Sequence, residues 1–503
     1  MLIINFPINF ILLTTPIQSS ILFLVPQNCR INNLPDEMLI AILSCLNFHE
    51  AARTSILSHR WRYLRKHTHC SLHFFNDKVY PMPLTERFIS SINQVLKLHH
   101  SPSIHQFKVC FNCPIPYVRE GEKHKINYAI DAWIDFAIGK QVKVFELDLL
   151  GRWPVRDDFN YTIPHVQKLL SISGGEVKLM TTLKTLKSLR FVSVEITQEV
   201  AKFILSNCPL LEQLCISASA YLGFLEATRS LPKLKSMEIS HCKRLTGIRV
   251  RAPNLVSFTY IGNSIEKGPF KEVVPRLSEL TIGGFYAYSF MMNAPMHSIY
   301  CSNLKRLKLE VSSKISSLCK VIPNEFHQLC HLKKLELDIT TKFGDGLCFF
   351  VFLIKCSPHL SRLTIRLTFL PFFSHLIKRH VVRGYGDLND VFEKGQAKAH
   401  AADRIVQEAM TFSHKCLKVV KLVGFIGSTS DYELASHLLR IAGSLKRMIL
   451  CADYDYFMYN EFWPYSMWKK AIRKCAHQLK ANLPPRAELL TYGHGFSKRI
   501  KLI

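Results

Sequence analysis

The sequence predicts an α/β fold in two parts: a small three-helix module near the N-terminus, then a curved repeat solenoid with a parallel sheet on its concave face. Three observations predict it. Residues 31–66 carry apolar side chains at helical spacing. Beyond them an apolar hexapeptide of strand periodicity recurs twelve times. Through the central stretch its copies follow one another at 21 to 28 residues, a regularity that a mixed domain with leucine-rich strands would reach only by chance.

Residues 1–29 contain no charged side chain and are mostly apolar, with Pro7, Pro16 and Pro26 interrupting them. A signal peptide needs a positive start and a small-residue cleavage site, and a spanning helix needs about 20 uninterrupted apolar residues. Neither pattern fits, and two readings stay open: an N-terminal extension, or a membrane or targeting segment. In residues 31–66, Leu39, Ile42, Leu43 and Leu46 fall on one helical face. Pro35 suits the first turn, where its missing N–H costs nothing, and Asp36 and Glu37 sit where the helix dipole favours anions. Asn47 with Glu50 reads as a capping box opening a second short helix through Ile56. Ser58 can cap a third, carrying Trp61 and Leu64. Chains below about 40 residues rarely bury enough surface to be stable alone, so this module is expected to dock on something.

A strand is expected over 70–75 and a helix over 88–98. The hexapeptide apolar-x-x-apolar-x-apolar then begins, as Ile104/Phe107/Val109, Val144/Leu147/Leu149 and Leu186/Leu189/Phe191, and runs to Leu445/Met448/Leu450. From Leu189 to Leu363 its middle position advances by 25, 23, 21, 22, 27, 28 and 28 residues, the period of leucine-rich repeats. The last two apolar residues of each copy lie two apart and share one face of a strand, so parallel stacking makes a sheet with a leucine core behind it. Return helices are legible over 199–206, before Cys208-Pro209, and over 349–355, before Ser357-Pro358, where proline ends the helix. The next gap, from Leu363 to Val420, is 57 residues and marks a degenerate repeat or an insertion near 368–412. After it come a strand over 417–423, a helix over 432–442, a strand over 445–450, and a helix over 468–483 expected to cap the open end.

Composition bounds the partners. A net charge of +27 attracts nucleic acid, anionic lipid or an acidic protein, although Lys and Arg are spread along the chain instead of forming a tail. The 16 cysteines lack the spacing of a secreted disulfide scaffold and read as reduced thiols of the cytoplasm or nucleus. Cys110 and Cys113 form a lone C-x-x-C, and His67, His69, His73, His99, His100 and His105 have no carboxylates at ligand spacing, so no metal is expected. No phosphate-cradling glycine loop or nucleophile elbow occurs, and no catalytic residue is expected. On the outward strand positions stand Arg306, Lys308, Lys334, Arg362, Arg366, Lys421 and Arg447, with Glu310, Glu336 and Asp338 among them. They predict a basic concave face with an acidic seam, either a substrate site or a solvated sheet surface. The aromatics Tyr454, Tyr456, Phe457, Tyr459, Phe462, Trp463, Tyr465 and Trp468 alternate with acids and read as core of the terminal cap, not as a nucleic-acid platform.

Residues 31–66 closely resemble an F-box, the adaptor-binding module of modular cullin ubiquitin ligases. The matching residues are Leu34, Pro35, Asp36, Leu39, Ile42, Leu43, Leu46, Ala51, Ala52, Arg53, Leu57, Ser58, Arg60, Trp61, Arg62 and Leu64. Plant members commonly carry Trp after the final leucine, where this chain has Arg65. Residues 411–485 resemble the FBD region that follows the repeats in many plant F-box proteins, through Leu417, Lys418, Val420, Gly424, Phe425, Gly427, Glu433, Leu438, Leu439, Leu445, Lys446 and Met448. The resemblance implies an F-box at 30–67, leucine-rich repeats at 68–410, FBD-like terminal repeats and cap at 411–485, and leaves a basic tail at 486–503. It further implies a Skp-type adaptor bound by Leu34, Pro35, Leu39, Ile42, Leu43, Ile56, Leu57 and Trp61, a cullin reached through that adaptor, and an unknown protein substrate on the repeats. Such a chain is a non-catalytic receptor subunit. No cofactor is predicted, and a small-molecule or inositol-phosphate ligand stays open, as does a membrane because of residues 1–29. The alternative from another class is a basic solenoid that binds nucleic acid or another polyanion independently of ubiquitin.

Overall fold

The computed structural model describes residues 30–46, 48–68, 71–76, 82–112, 120–149, 161–172, 175–265, 274–292, 301–312, 328–341, 351–369, 412–425, 427, 429–452, 465–495 and 498–501. Residues 1–29, the 370–411 segment, Asn47, Cys113 and the aromatic run of 453–464 lie outside them, and so do the expectations attached to them. The chain forms two compact units, Met1–Asn254 and Leu255–Ile503.

The first unit opens with the helical module: α1 (Asp36–Cys45), α2 (Phe48–Arg53), a 3-10 turn at Thr54–Ile56 and α3 (His59–Leu64). Pro35 sits one place earlier than expected, at the N-cap of α1, where its carbonyl accepts from the Met38 and Leu39 N–H groups. Ser58 caps α3 as read from the sequence, its side chain accepting from the Trp61 N–H at 3.3 Å. Next come β1 (Leu72–Asn76), α4 (Met82–Lys97), β2 (Gln106–Phe111), α5 (Glu120–Gly139), β3 (Val144–Asp148), β4 (Tyr161–Ile163), α6 (Val166–Ile172) and α7 (Glu176–Thr185). The unit ends with β5 (Ser188–Val192), β6 (Val194–Ile196), α8 (Gln198–Asn207), β7 (Gln213–Ser217), β8 (Phe224–Glu226), β9 (Ser236–Ser240) and β10 (Gly247–Arg249). Its main sheet is parallel in the order β1-β2-β3-β5-β7-β9, while β4 with β6 and β8 with β10 form small parallel pairs.

Register corrects one repeat. Phe107 pairs with Phe145 and Val109 with Leu147, so the second hexapeptide is Val142/Phe145/Leu147, two residues before the expected Val144/Leu147/Leu149. A shift of two leaves the same face inward, and alternation alone cannot distinguish the two registers. Val142 is buried, whereas Val144 stands half-exposed.

The second unit holds β11 (Ser257–Gly262), β12 (Glu279–Gly284), α9 (Phe285–Met292), β13 (Arg306–Ser312), β14 (Lys334–Thr341), α10 (Val351–Lys355), β15 (Arg362–Phe369) and β16 (Val419–Val423). After them come α11 (Thr429–Ile441), β17 (Arg447–Ala452), α12 (Tyr465–Lys480), β18 (Glu488–Gly495) and β19 (Lys498–Lys501). Strands β11 to β18 pair in parallel in chain order, and the register stacks Leu280, Leu307, Leu335, Leu363, Val420 and Met448 in one buried column. Ile282, Leu309, Leu337, Ile365, Leu422 and Leu450 form the next column. No single repeat could bury such a face alone, and stacking neighbours makes the core continuous.

Three expectations change in this unit. Strand β15 pairs directly with β16, Leu363 against Val420, so the long gap is an insertion between adjacent strands and not a further rung of the sheet. Residues 486–503 are not a tail: β18 extends the parallel sheet and β19 turns back antiparallel on it, with Tyr492 against Lys501. The helix expected as terminal cap, α12, instead precedes β18 as a return helix. Only Leu489 keeps the hexapeptide pattern there, because Thr491 stands opposite Leu450 where an apolar residue was required.

Candidate functional site

The helical module builds its own small core from Leu39, Leu43, Ala51, Trp61 and Leu64, with Leu34, Ile40, Ile42 and Leu46 packed partly against it. Helix periodicity explains α1, whose Leu39 and Leu43 lie one turn apart on the inner side. Trp61 is 2% exposed, and its indole N–H donates to Asn32 Oδ1 at 2.8 Å. Arg60 closes the entry to α1: its guanidinium donates to Asp36 Oδ1 and to the Leu34 and Asn32 carbonyls. This clamp ties α3 to the start of α1, and the residue pattern did not reveal that role for Asn32 and Arg60.

The eight residues expected at an adaptor contact therefore divide. Leu39, Leu43 and Trp61 lie in the core, because a helix module this small needs them to hold itself together. Leu34 and Ile42 are half-buried, while Pro35, Ile56 and Leu57 face solvent. Ile56 is 69% exposed and Leu57 38%, and they are joined on the surface by Met38 at 53%. Met38 was missed because it falls off the apolar stripe of α1, and an apolar residue off that stripe is the signal that marks it.

On the outer face of the second unit's sheet, the acids of the expected seam pair with most of the expected cations. Glu336 Oε1 lies 2.6 Å from Lys334 Nζ and 2.9 Å from the Arg306 guanidinium. Lys308 Nζ lies 2.7 Å from Glu310 and 2.9 Å from Asp338, and Arg366 reaches Asp338 at 3.5 Å. Arg447 pairs with Glu488 at 3.3 Å. Burial alone would raise the Glu336 carboxyl, but the Lys334 hydrogen bond and the charge of Arg306 outweigh it and hold it below the ordinary value. Lys308 is likewise opposed by burial, yet its hydrogen bonds to Glu310 and Asp338 raise it. Of the seven expected substrate-binding cations, five are thus engaged by carboxylates. Arg362, exposed, and Lys421, half-buried, carry no ion pair among the described residues.

A matching row in the first unit went unnoticed in the sequence: Lys108, Glu146, Arg190, Cys215 and Glu238 stand side by side in register. Arg190 reaches Glu146 at 3.3 Å and Glu238 at 3.7 Å, and donates to Cys215 Sγ at 2.9 Å. Burial pushes the Cys215 thiol up to about 12 despite the arginine, and burial does the same to Cys208, Cys301 and Cys475. Such thiols are poor nucleophiles and poor metal ligands. Among the described residues no cluster of three His, Cys, Asp or Glu could hold a metal ion, and no helix is long and apolar enough to cross a membrane.

Comparison with known proteins matches both parts of the chain. Residues 95–484 match the family model described as the At1g61320/AtMIF1 LRR domain, and residues 31–64 match the F-box domain model. Among relatives from Arabidopsis thaliana, F-box/LRR-repeat protein At3g03360 is 28% identical over 67% of this chain and 70% of its own length. FBD-associated F-box protein At4g10400 is 26% identical over 67% of this chain and 77% of its own. F-box/LRR-repeat protein 13 is 21% identical over 84% of this chain and 89% of its own.

Proposed function

Because the chain belongs to the family of the At1g61320/AtMIF1 LRR domain and carries an F-box ahead of its repeats, we propose that it is the substrate-recognition subunit of a Skp-cullin-F-box ubiquitin ligase. The carrying observation is the division of labour within the helical module. Its core is filled by its own leucines and Trp61, yet Pro35, Met38, Ile56 and Leu57 remain on the surface. Apolar side chains left outside a satisfied core suit an interface, and buried anchors of this type carry about 2 kcal/mol or more each at a hot spot. The adaptor bound there ties the chain to a cullin. The repeats hold a protein substrate, and the chain's contribution to ubiquitin transfer is proximity and orientation, with no acid, base or nucleophile of its own.

The test is titration of the purified chain with a Skp-type adaptor. Ile56→Asp/Leu57→Asp should weaken binding by at least about tenfold, since each replaces an apolar contact with a buried charge. Equal affinity of the wild-type and variant chains, or no binding by wild type, removes the proposal.

A further inference from the structure

The strands of the second unit begin along a rim of cations that the ion pairs of the outer face leave free. Lys305, Lys333, Lys418 and Lys446 occupy the same place in successive repeats, one residue before β13, β14, β16 and β17, and Ser361 occupies it before β15. Backbone hydrogen bonds join these residues into a column. The Lys305 carbonyl accepts from the Lys333 and Lys334 N–H groups at 2.9 and 3.0 Å, and the Lys333 carbonyl from Ser361 and Arg362 at 3.0 Å each. Ser361 receives Lys418 at 3.0 Å, and Lys418 receives Lys446 at 2.8 Å. The spacing of the lysines is therefore set by the sheet and not by loop conformation. At Ser361 the neighbouring Arg362 supplies the charge. All five cations are exposed, and none has an ion pair or side-chain hydrogen bond among the described residues.

Repeat geometry alone does not create such a row. The equivalent positions in the first unit are His105, Lys143, Lys187, Glu212 and Lys235, and there Glu212 lies 2.8 Å from Lys235 and 3.8 Å from Lys187.

We propose that the β13–β17 rim docks an extended acidic segment of a partner protein. Four inter-strand steps span about 19 Å, the reach of about six residues of extended chain. Carboxylates spaced along such a segment meet the cations one by one, and nothing on the rim competes for them. Two features favour a peptide over nucleic acid. The rim positions themselves hold only Lys, Ser and Arg, none of which is an aromatic on which a base could stack. Inward of the rim the cations of the sheet face are already matched, Arg306 and Lys334 by Glu336 and Lys308 by Glu310 and Asp338, so the unpaired charge forms a narrow rail and not a broad basic face. That the segment belongs to a ubiquitination substrate rests on the receptor reading above; that it binds does not.

Fluorescence anisotropy of the full chain with a labelled peptide of alternating Glu and Ser tests this. Binding is expected at low salt and should fade as salt screens the rim. Lys305→Ser/Lys333→Ser/Lys418→Ser/Lys446→Ser should weaken it by about tenfold or more, while the charge-matched Lys97→Ser/Lys143→Ser/Lys178→Ser/Lys184→Ser stays within about twofold. Equal loss in both variants would reduce the effect to net charge and overturn the proposal. So would equal affinity for the Gln-Ser peptide, or tighter binding of a single-stranded DNA oligomer. Should circular dichroism show the fourfold variant unfolded, Lys305→Ser/Lys446→Ser is read instead, with about threefold loss expected and unchanged affinity fatal. Adaptor affinity measured on the same samples separates the two readings. Adaptor binding without peptide binding refutes the rim alone, and peptide binding without adaptor binding refutes the receptor assignment alone.

Discussion

Trp61 and Ile56 stand on the same short module and do opposite work. Trp61 is buried against Leu39 and Leu43 and held by Asn32, so Trp61→Ala leaves a cavity and an unsatisfied amide. A loss of about 3–5 kcal/mol is expected, read as early unfolding of the module by hydrogen exchange. Ile56 touches mainly water, and Ile56→Asp should change that protection by no more than about 0.5 kcal/mol while still impairing adaptor binding. If both substitutions melt the module alike, the division between core and contact residues is wrong. At this scale the sequence was informative about identity and less so about role. The resemblance picked out Leu34 to Trp61 correctly as one module, but a motif mixes residues kept for packing with residues kept for contact. Only burial separates them, and burial is a property of the folded neighbours.

Among elements, the ion pairs across β13, β14 and β15 make a prediction about pH. Glu336 titrates below its ordinary 4.5 in the folded chain, so the stability it contributes is complete above that value. It is lost as pH falls through the depressed folded value. Thermal melts of wild type should therefore weaken on acidification through that window, and Glu336→Gln should flatten the curve there. Identical pH profiles would show that Lys334 and Arg306 do not stabilise the charged carboxylate. Two smaller elements are equally testable. Thr197 caps α8 by accepting from the Val200 N–H, and Thr197→Ala should cost about 1 kcal/mol in chemical denaturation. His414 is buried where the chain re-enters the repeats; Nε2 donates to the Ser357 carbonyl at 2.9 Å while Nδ1 accepts from the Leu417 N–H at 3.0 Å. His414→Ala takes the acceptor from the Leu417 N–H and one of two donors from the Ser357 carbonyl, which keeps the Leu360 N–H, and should cost about 1–2 kcal/mol, a result that unchanged denaturation midpoints would refute. Strand positions were legible from their leucines almost throughout. The exceptions have local causes: Val144 lies a whole alternation from the true register, and Thr491 interrupts the pattern of β18. Pairing across strands was not legible, because a list of outward residues does not say which cation stands beside which carboxylate.

At the scale of the whole molecule, repeat period fixed the architecture and charge did not fix the partner. The net +27 pointed to polyanions in general and the outward residues to a basic face with an acidic seam; in the structure carboxylates neutralise much of the outer sheet and leave the strand-start rim of the second unit as a defined cationic track. Fold class and the F-box were visible from spacing and motif, since both are carried by many residues at once. The cationic rim was not, since it depends on which charges remain uncompensated after folding. The receptor assignment is tested most directly by affinity purification of the tagged full chain followed by mass spectrometry. A Skp-type adaptor and a cullin should be recovered together from wild type, and both should be lost with Ile56→Asp/Leu57→Asp. Recovery of neither from wild type, or of both from the variant, would contradict the account.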